Sequence, residues 1–207
     1  MSAGTTMERV YLELKARIVA AELPPGTRLG PAELAKILDA SPTPVRDALY
    51  RLSGERVVES WHLEGFRMPL FTERDLQHLY GWSGTLLTLA LRGRSEPPSP
   101  AGLLFDLPVC PAYPEATESL FRAIASGCEN REIRFAITNV IERTQIFRAV
   151  ESRFDPGARE ALAAMEEDFR FGRWTSLRSK ITSFHRRRAS QADRIVAELR
   201  PRSDALG

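Results

Sequence analysis

Ser41, Thr43 and Arg46 stand close together at the start of a predicted helix, and each carries a side chain that donates hydrogen bonds. The apolar face of this helix is predicted to consist of Val45, Leu49 and Leu52. Arg46 lies off that face, Ser41 is placed to cap the helix, and Pro42 suits its first turn. Because a helix start also presents backbone N–H groups that favour phosphate, the spacing predicts an anion-binding helix end.

Three helices are predicted in the first quarter of the chain. The first covers residues 7–23 and is ended by Pro24-Pro25-Gly26, since proline cannot continue a helical hydrogen-bond ladder. The second is short and begins at Pro31. Asp39-Ala40 then forms a tight turn before the third helix, which covers about 42–53.

A β-hairpin is predicted after the third helix. Residues 57–61 alternate loosely, Gly65 provides a turn, and residues 66–68 form a second short run that ends at Pro69. The order of elements is that of a winged helix-turn-helix. In that arrangement the helix after the tight turn lies in the major groove of DNA, and glycine at the hairpin tip allows close approach to the nucleic acid.

The composition is that of an ordinary globular chain. Hydrophobic residues make up 43% and charged residues 27% of its 207 residues. No apolar run approaches the roughly 18 residues of a membrane span, and the N-terminus does not resemble a secretory signal. Cys110 and Cys128 are too few for a disulfide framework or a four-thiolate zinc site. We therefore expect a cytoplasmic protein with no membrane partner.

The charge distribution does not by itself indicate nucleic acid. The net charge is +2, and residues 1–75 carry 10 basic and 11 acidic side chains. The positive excess lies in residues 173–202, which hold nine Lys or Arg and two acidic residues. A groove-binding protein needs basic side chains on one face, so a neutral total does not exclude DNA binding.

Residues 8–68 resemble the N-terminal domain of the GntR family of repressors. The matching stretches are Ile18-Val19, Leu23-Pro24-Pro25-Gly26-Thr27-Arg28-Leu29, Glu33-Leu34-Ala35, Leu38, Ser41-Pro42-Thr43-Pro44-Val45-Arg46-Asp47-Ala48-Leu49, Leu52 and Glu64-Gly65-Phe66. The resemblance implies that Ser41, Thr43 and Arg46 contact DNA at the start of the recognition helix. It also implies that Arg28 contacts the DNA backbone and that Gly65 lies in the wing. The family usually has arginine where this chain has Pro42, and loss of that guanidinium bears on either the affinity for DNA or the operator sequence, but not on DNA binding itself.

Residues 72–200 are predicted to form an all-helical domain that follows the DNA-binding domain of residues 5–70. Helices are predicted after a Thr72 cap, with Gly81 and Gly84 as interruptions, and after a long loop over 93–114. The later helices are predicted over about 115–127, 130–150 and 157–199, the last broken near Gly172. The fold class is therefore mainly α, with a winged helix-turn-helix followed by a helical bundle.

The helical half resembles, more weakly, the effector domain of the FadR-type (FCD) branch of that family. Members often bind a divalent metal through one Asp and three His. The matching positions here are Glu118, Arg122, Ala163 and His185, of which only His185 agrees. Arg122 cannot bind a cation, so we expect no metal and no cofactor, and a shortened, degenerate effector domain.

The sequence contains no recognisable catalytic constellation. The three histidines are scattered and lack metal-ligand spacing, and no nucleophile–base pair or glycine-rich phosphate loop is found. We expect a transcriptional regulator rather than an enzyme, acting as a homodimer on a palindromic operator of double-stranded DNA, with repression favoured by the resemblance. Its helical domain is expected to dimerise and to bind a small-molecule effector. The alternative is a DNA-binding protein whose helical domain senses no ligand and serves only protein–protein contact.

Several other groups of residues receive structural interpretations. The runs His185-Arg186-Arg187-Arg188 and Glu166-Glu167-Asp168 are most simply read as solvated helix faces. The tryptophans are expected to be packing residues: Trp61, Trp82 and Trp174. Trp82 and Trp174 could instead line an effector cavity, because an apolar lining and a plain core look the same in sequence.

Overall fold

The structure, a computed structural model, describes residues 3–61, 65–94 and 112–200. Chain contacts divide it into two compact units, which meet in sequence at Phe71 and Thr72. We call the residues up to Phe71 the N-terminal unit and Thr72–Glu198 the helical unit. The predicted fold class, a winged helix-turn-helix followed by helices, is confirmed.

The described residues of the N-terminal unit form three helices and a two-stranded antiparallel sheet. Its elements are α1 (Ala3–Val19), α2 (Pro31–Ile37), α3 (Pro42–Gly54), β1 (Glu59–Trp61) and β2 (Gly65–Arg67). The apolar stripes predicted for the helices lie in one core, which includes Val10, Leu14, Ile18, Leu34, Leu38, Val45, Leu49 and Leu52. Burial of these side chains at helical spacing holds α2 and α3 against α1.

The prediction that Pro24-Pro25-Gly26 ends the first helix is wrong. α1 ends at Val19, and Ala21 adopts a left-handed conformation with φ 58°. The N–H of Glu22 then donates to the carbonyl of Arg17 at 3.1 Å, which closes the helix end. The chain therefore leaves the helix before it reaches the prolines.

The tight turn between α2 and α3 also contains a residue in the left-handed conformation. Asp39 has φ 44°, and the N–H of Ala40 donates to the carbonyl of Ala35 at 3.0 Å. Arg9 of α1 donates to the carbonyl oxygen of Leu38 from both terminal nitrogens, each at 3.0 Å, and to that of Asp39 at 3.0 Å. These bonds satisfy carbonyls at the end of α2 and fix the turn that positions α3.

The predicted hairpin is present as β1 and β2. Glu59 pairs with Arg67, Ser60 with Phe66 and Trp61 with Gly65. Residues 62–64, which include His62 and Glu64 of the predicted wing, lie outside the described residues. On its other side, β2 bonds to the segment after α1, where the N–H of Leu29 donates to the carbonyl of Phe66 at 2.8 Å.

The helical unit begins with the predicted capping box. Thr72 Oγ1 accepts from the N–H of Asp75, and the Asp75 carboxylate accepts from the N–H of Thr72. The helices are α4 (Glu73–Ala90), α5 (Tyr113–Ser126), α6 (Arg131–Phe154), α7 (Ala158–Arg170), α8 (Trp174–Ala189) and α9 (Ala192–Leu199). The predicted loop over 93–114 lies mostly outside the described residues, and α5 begins within it.

Two expectations about helix continuity are corrected and one is confirmed. α4 runs through Gly81 and Gly84 without a break; a Cβ at Gly84 would lie 3.3 Å from the His185 side chain of α8. The predicted break near Gly172 is confirmed, with φ 66° at that residue. A second break separates α8 from α9. Among the described helices, none is both long and apolar enough to cross a bilayer.

Candidate nucleic-acid interface

The start of α3 differs from an ordinary helix N-terminus. Ser41 occupies the predicted N-cap position with extended backbone, but its hydroxyl accepts no capping hydrogen bond, so the predicted side-chain cap is wrong. The physical reason is Pro44, which lacks the N–H that an N-cap side chain would normally bind at the third helical position. Pro42 lacks an N–H as well. The phosphate-binding capacity expected of the backbone here is therefore reduced, and exposed side chains must supply more of it.

The exposed face of α3 carries Thr43, Arg46 and Tyr50 at helical spacing. Tyr50 is 58% exposed. Within the part of the chain that the structure describes, no carboxylate forms an ion pair with Arg46. Its guanidinium is therefore available to an external anion or base edge.

Arg51, in the last turn of α3, is bound within the unit. Its Nη1 donates to Glu8 Oε2 at 2.7 Å, and its guanidinium carbon lies 3.6 Å from the centroid of the Tyr11 ring. Beside it, Lys15 donates to Glu55 Oε2 at 2.8 Å. These contacts hold the last turn of α3 against α1. Arg46 lies in the N-terminal half of the helix and takes no part in them.

Two arginines lie opposite each other beside the wing. Arg28 and Arg67 form an antiparallel bridge across neighbouring backbone segments. Residues directly opposite each other in such a bridge lie close together, so the bridge places two arginines at the same edge of the sheet. Glu59 Oε2 accepts from Arg67 Nε at 2.9 Å, and the Arg67 guanidinium lies 3.8 Å from the centroid of the Trp61 ring. Trp61 and Glu59 therefore hold Arg67 in place.

A depression of about 300 Å³ lies at this edge of the sheet. Its lining residues are Gly26, Arg28, Trp61, Gly65, Phe66 and Arg67. Gly65 has φ 90°, a conformation that favours glycine, and no atom of the residues that the structure describes lies within 4 Å of where its Cβ would be. Glycine is therefore required here by the backbone conformation and not by a lack of space. The predicted residues Arg28 and Gly65 lie together in this depression.

The recognition helix and the wing are linked by an aromatic contact. The rings of Tyr50 on α3 and Phe66 on β2 meet edge to face, with centroids 4.9 Å apart. Ser41, Thr43 and Arg46 lie on α3, while Arg28 and Gly65 lie at the wing. The five predicted residues thus occupy two neighbouring parts of one unit, both exposed.

Sequence reasoning missed Arg67 and Trp61 as candidate binding residues. The expectation that Trp61 is a packing residue is wrong, since it is 44% exposed beneath Arg67. The position of Arg67, two residues after the wing glycine Gly65, was a signal in the sequence from which a role in binding could have been predicted. Its pairing with Arg28 was not, because that depends on the register between segments far apart in sequence.

A polar cluster fills the interior of the helical unit. Glu151 accepts from Tyr80 Oη at 2.6 Å, Tyr113 Oη at 3.1 Å, Arg148 Nη1 at 3.1 Å and Arg188 Nε at 3.1 Å. Burial by itself would raise the pKa of Glu151, but the two guanidinium groups and the tyrosine hydroxyls outweigh it and lower that pKa. We call these five residues the Glu151 cluster.

Two charged runs, residues 185–188 and 166–168, were expected to be solvated helix faces. Each of them contains buried residues. Arg186 and Arg187 are exposed, but Arg188 is fully buried in the Glu151 cluster and His185 is buried. Asp168 is also buried, with Lys180 Nζ 2.8 Å from its carboxylate. A buried charge requires a partner, and these partners come from distant parts of the chain.

The positions that resemble a metal site are occupied by bonds within the protein. Arg122 Nε donates to Glu118 Oε1 at 2.7 Å. The His185 ring nitrogens lie 2.8 Å from the carbonyl oxygen of Ile181 and 3.0 Å from Ser83 Oγ. Within the described ranges, no group of three His, Cys, Asp or Glu side chains is arranged to hold a metal ion.

Of the other two tryptophans, Trp174 is buried, as expected of a packing residue, whereas Trp82 is 50% exposed, so that expectation is wrong for it. Neither of them lines the groove of about 590 Å³ that lies between α4 and α8.

Comparison with known proteins supports the description of the N-terminal unit. Residues 6–68 match the profile of the bacterial regulatory proteins, gntR family. No curated protein matches the chain. A protein from Rhodococcus sp. RHA1, described as a transcriptional regulator GntR, shares the fold with a TM-score of 0.70 at 17% identity, over 91% of this chain and 97% of that one. E. coli McbR/YncC has a TM-score of 0.65 at 18% identity, over 94% and 99% of the respective chains.

Proposed function

We propose that this chain, whose residues 6–68 match the GntR-family helix-turn-helix, is a sequence-specific DNA-binding transcriptional regulator. Residues 5–70 form its DNA-binding domain and residues 72–200 its dimerisation domain. Arg46 and Thr43 contact base edges or phosphates from α3, with Ser41 at the helix start. Arg28 contacts the DNA backbone beside the wing glycine, Gly65.

The observation that carries this proposal is the environment of Arg46. Its guanidinium is exposed on the outer face of α3, and no carboxylate within the described ranges pairs with it. Arg51 of the same helix is paired and stacked against α1. An exposed arginine in the N-terminal half of a recognition helix is suited to bidentate recognition of guanine or to a phosphate contact.

A symmetric dimer is part of the proposal. A single recognition helix reads only a few base pairs, so selective binding needs two half-sites about one helical turn of DNA apart. We expect a palindromic operator and, from the resemblance to GntR repressors, repression of the adjacent gene. A small-molecule effector would act by binding the dimer and its DNA-bound form with different affinities.

A second candidate, a regulator whose helical unit senses no ligand, is favoured by the Glu151 cluster. The polar groups at that position bind one another, and a ligand would have to displace a carboxylate held by two arginines and two tyrosines. The two candidates differ in whether the low-molecular-weight fraction of a cell extract changes the affinity of the protein for a DNA fragment that it has selected. Release of DNA supports sensing, whereas unchanged affinity supports the second candidate.

The experiment that tests DNA binding is selection from a genomic fragment library. Purified wild type and the Arg46→Ala variant are each incubated with the library at a low and a high salt concentration. We expect wild type to enrich a few fragments, less so at high salt, and Arg46→Ala to lose that enrichment. Absence of enrichment by wild type would overturn the proposal.

A further inference from the structure

The carboxylate of Glu151 is bound as a ligand would be, by donors from several helices. Its Oε1 accepts from Tyr80 Oη of α4 at 2.6 Å, and its Oε2 accepts from Tyr113 Oη of α5 and Arg188 Nε of α8, each at 3.1 Å. Arg148 Nη1, one turn away on α6, donates to both oxygens, at 3.3 and 3.1 Å. Since a carboxylate has about four lone-pair sites, these bonds use its whole capacity to accept.

The two arginines are also held by contacts that do not involve Glu151. Arg188 Nη1 donates to the carbonyl of Phe184 at 3.0 Å, and its guanidinium carbon lies 3.2 Å from the centroid of the Phe184 ring. The guanidinium carbon of Arg148 lies 5.2 Å from the centroid of the Phe121 ring. Side chains that are fixed by their own packing and hydrogen bonds keep their positions when one partner is removed. The donors therefore form a site that does not depend on the Glu151 side chain.

This site has an excess of positive charge when Glu151 is left out of account. Among the described residues, the carboxylates that pair with Arg148 and Arg188 are those of Glu151 and Asp155, the latter with Oδ2 3.6 Å from Arg188 Nη1. Burial lowers the pKa of the neighbouring His185 to about 3, so its ring adds no charge at neutral pH. Two buried guanidinium groups and the Asp155 carboxylate thus leave one positive charge that needs an anion.

We propose that the Glu151 cluster is a binding site for a small carboxylate anion and that the chain fills this site with its own side chain. Glu151 extends its carboxylate from α6 on two methylene groups, so a free monocarboxylate takes the same place only when that side chain is shortened. In the regulator of the proposed function, on which this consequence rests, free carboxylates do not act through the cluster. That is the behaviour of the second candidate, whose helical unit senses no ligand.

The test removes the side chain and supplies a carboxylate from solution. Glu151→Ala deletes one methylene and the carboxylate, which together have the size of acetate, and Glu151→Gly deletes a group of the size of propionate. The full chain is unfolded by urea at pH 7 in sodium acetate, sodium propionate or sodium chloride of equal concentration, and unfolding is followed by tryptophan fluorescence. Sucrose is present throughout, because it favours the folded state and supports variants that have lost stability.

Acetate should stabilise Glu151→Ala selectively, and propionate should be the better ligand for Glu151→Gly. If acetate binds with a Kd of about 10 mM, about 100 mM acetate raises the ratio of folded to unfolded Glu151→Ala by about 10-fold over chloride. A variant that is unfolded in chloride should gain folded chain by the same factor. Wild type should show no such difference, because its site is filled. Glu198→Ala is the matched control, since the Glu198 carboxylate pairs with Arg153 on the exposed surface and its removal leaves no enclosed site.

A double variant tests whether the arginines are the binding groups. Glu151→Ala combined with Arg148→Met keeps the space but removes one guanidinium group, so it should lose the response to acetate. It should also be more stable in chloride than Glu151→Ala, because one unpaired buried charge is gone.

Three results would overturn the inference. The first is that acetate stabilises Glu151→Ala no more than chloride does, as expected if the helices close over the space. The second is that wild type responds as strongly as Glu151→Ala, and the third is that the double variant does so. DNA takes no part in these measurements, and fragment selection by wild type reports on it separately, so the carboxylate site can fail while the proposed function stands.

Discussion

Arg188 and Glu151 form an ion pair inside the helical unit, with Arg188 Nε 3.1 Å from Glu151 Oε2 and neither side chain exposed to solvent. Arg148 Nη1 lies 3.1 Å from the same carboxylate oxygen, and Arg188 also binds the hydroxyl of Tyr113. One carboxylate thus balances two buried guanidinium groups, with Asp155 Oδ2 3.6 Å from Arg188 Nη1 as a further acidic contact. This arrangement makes Glu151 a critical residue for the stability of the helices around it.

Replacement of this carboxylate should destabilise the protein strongly. Glu151→Gln leaves two buried guanidinium groups without their main counter-charge, so the free energy of unfolding should fall by about 3–5 kcal/mol. Glu198→Gln is the control, because Glu198 pairs with Arg153 at 2.8 Å on the exposed surface and should contribute about 1 kcal/mol or less. Urea unfolding followed by circular dichroism measures both. Equal, small effects would mean that the cluster does not carry the predicted energy.

His185 should make stability depend on pH. Burial lowers its pKa to about 3, against the weaker effect of its bond to the Ile181 carbonyl, whereas an unfolded histidine titrates near pH 6.5. Between these values the unfolded chain binds a proton that the folded chain does not. The contribution of His185 to stability is therefore fully present above about pH 6.5 and falls by about 1.4 kcal/mol for each pH unit below it, down to about pH 3.

The measurement is urea unfolding at pH 7, 6 and 5 for wild type, His185→Gln and His78→Gln. His185→Gln should show a shallower loss of stability than wild type as the pH falls. His78 is exposed, so its variant should follow wild type. A wild-type slope retained in His185→Gln would show that another group is responsible.

A glycine at position 21 should stabilise the N-terminal unit. Ala21 has φ 58°, and a left-handed conformation costs a residue with a Cβ roughly 1–2 kcal/mol, part of which is offset by the greater freedom of glycine in the unfolded chain. Ala21→Gly should therefore raise the free energy of unfolding by about 0.5–1 kcal/mol. Ala20→Gly should lower it by a similar amount, because the N–H of Ala20 still makes a helical bond to Ala16. Thermal unfolding of both variants gives the sign, and two shifts in the same direction would contradict the explanation.

The N-terminal unit was largely predictable because its signals are local. Apolar residues at helical spacing marked α2 and α3, and the glycine and the alternating residues marked the wing. The missing cap at Ser41 was also predictable in principle, because Pro44 stands in the sequence at the position whose N–H the cap would need. The early end of α1 was not, since Ala21 has no residue-type signal for a left-handed conformation.

The interior of the helical unit was harder to predict because its charges are paired over long distances in sequence. Arg188 follows Ile181 and Phe184 on one helical face, so its position on the apolar side was visible. Its burial depends on Glu151, which lies on a different helix. Trp82 shows the opposite case, in which a large apolar side chain that suggested a core residue is exposed. Local patterns locate helices well, whereas they do not reveal which face meets a distant partner.

The most direct test of the account is an anisotropy titration of a selected DNA fragment and of a scrambled fragment of equal length. Wild type, Arg46→Ala and Arg153→Ala are compared; Arg153 is an exposed arginine of the helical unit, so its variant loses the same charge. Arg46→Ala should weaken binding to the selected fragment by about 10- to 100-fold and reduce the preference over the scrambled one, while Arg153→Ala binds as wild type does. If Arg46→Ala binds the selected fragment as tightly as wild type, α3 is not the recognition helix and the account is wrong.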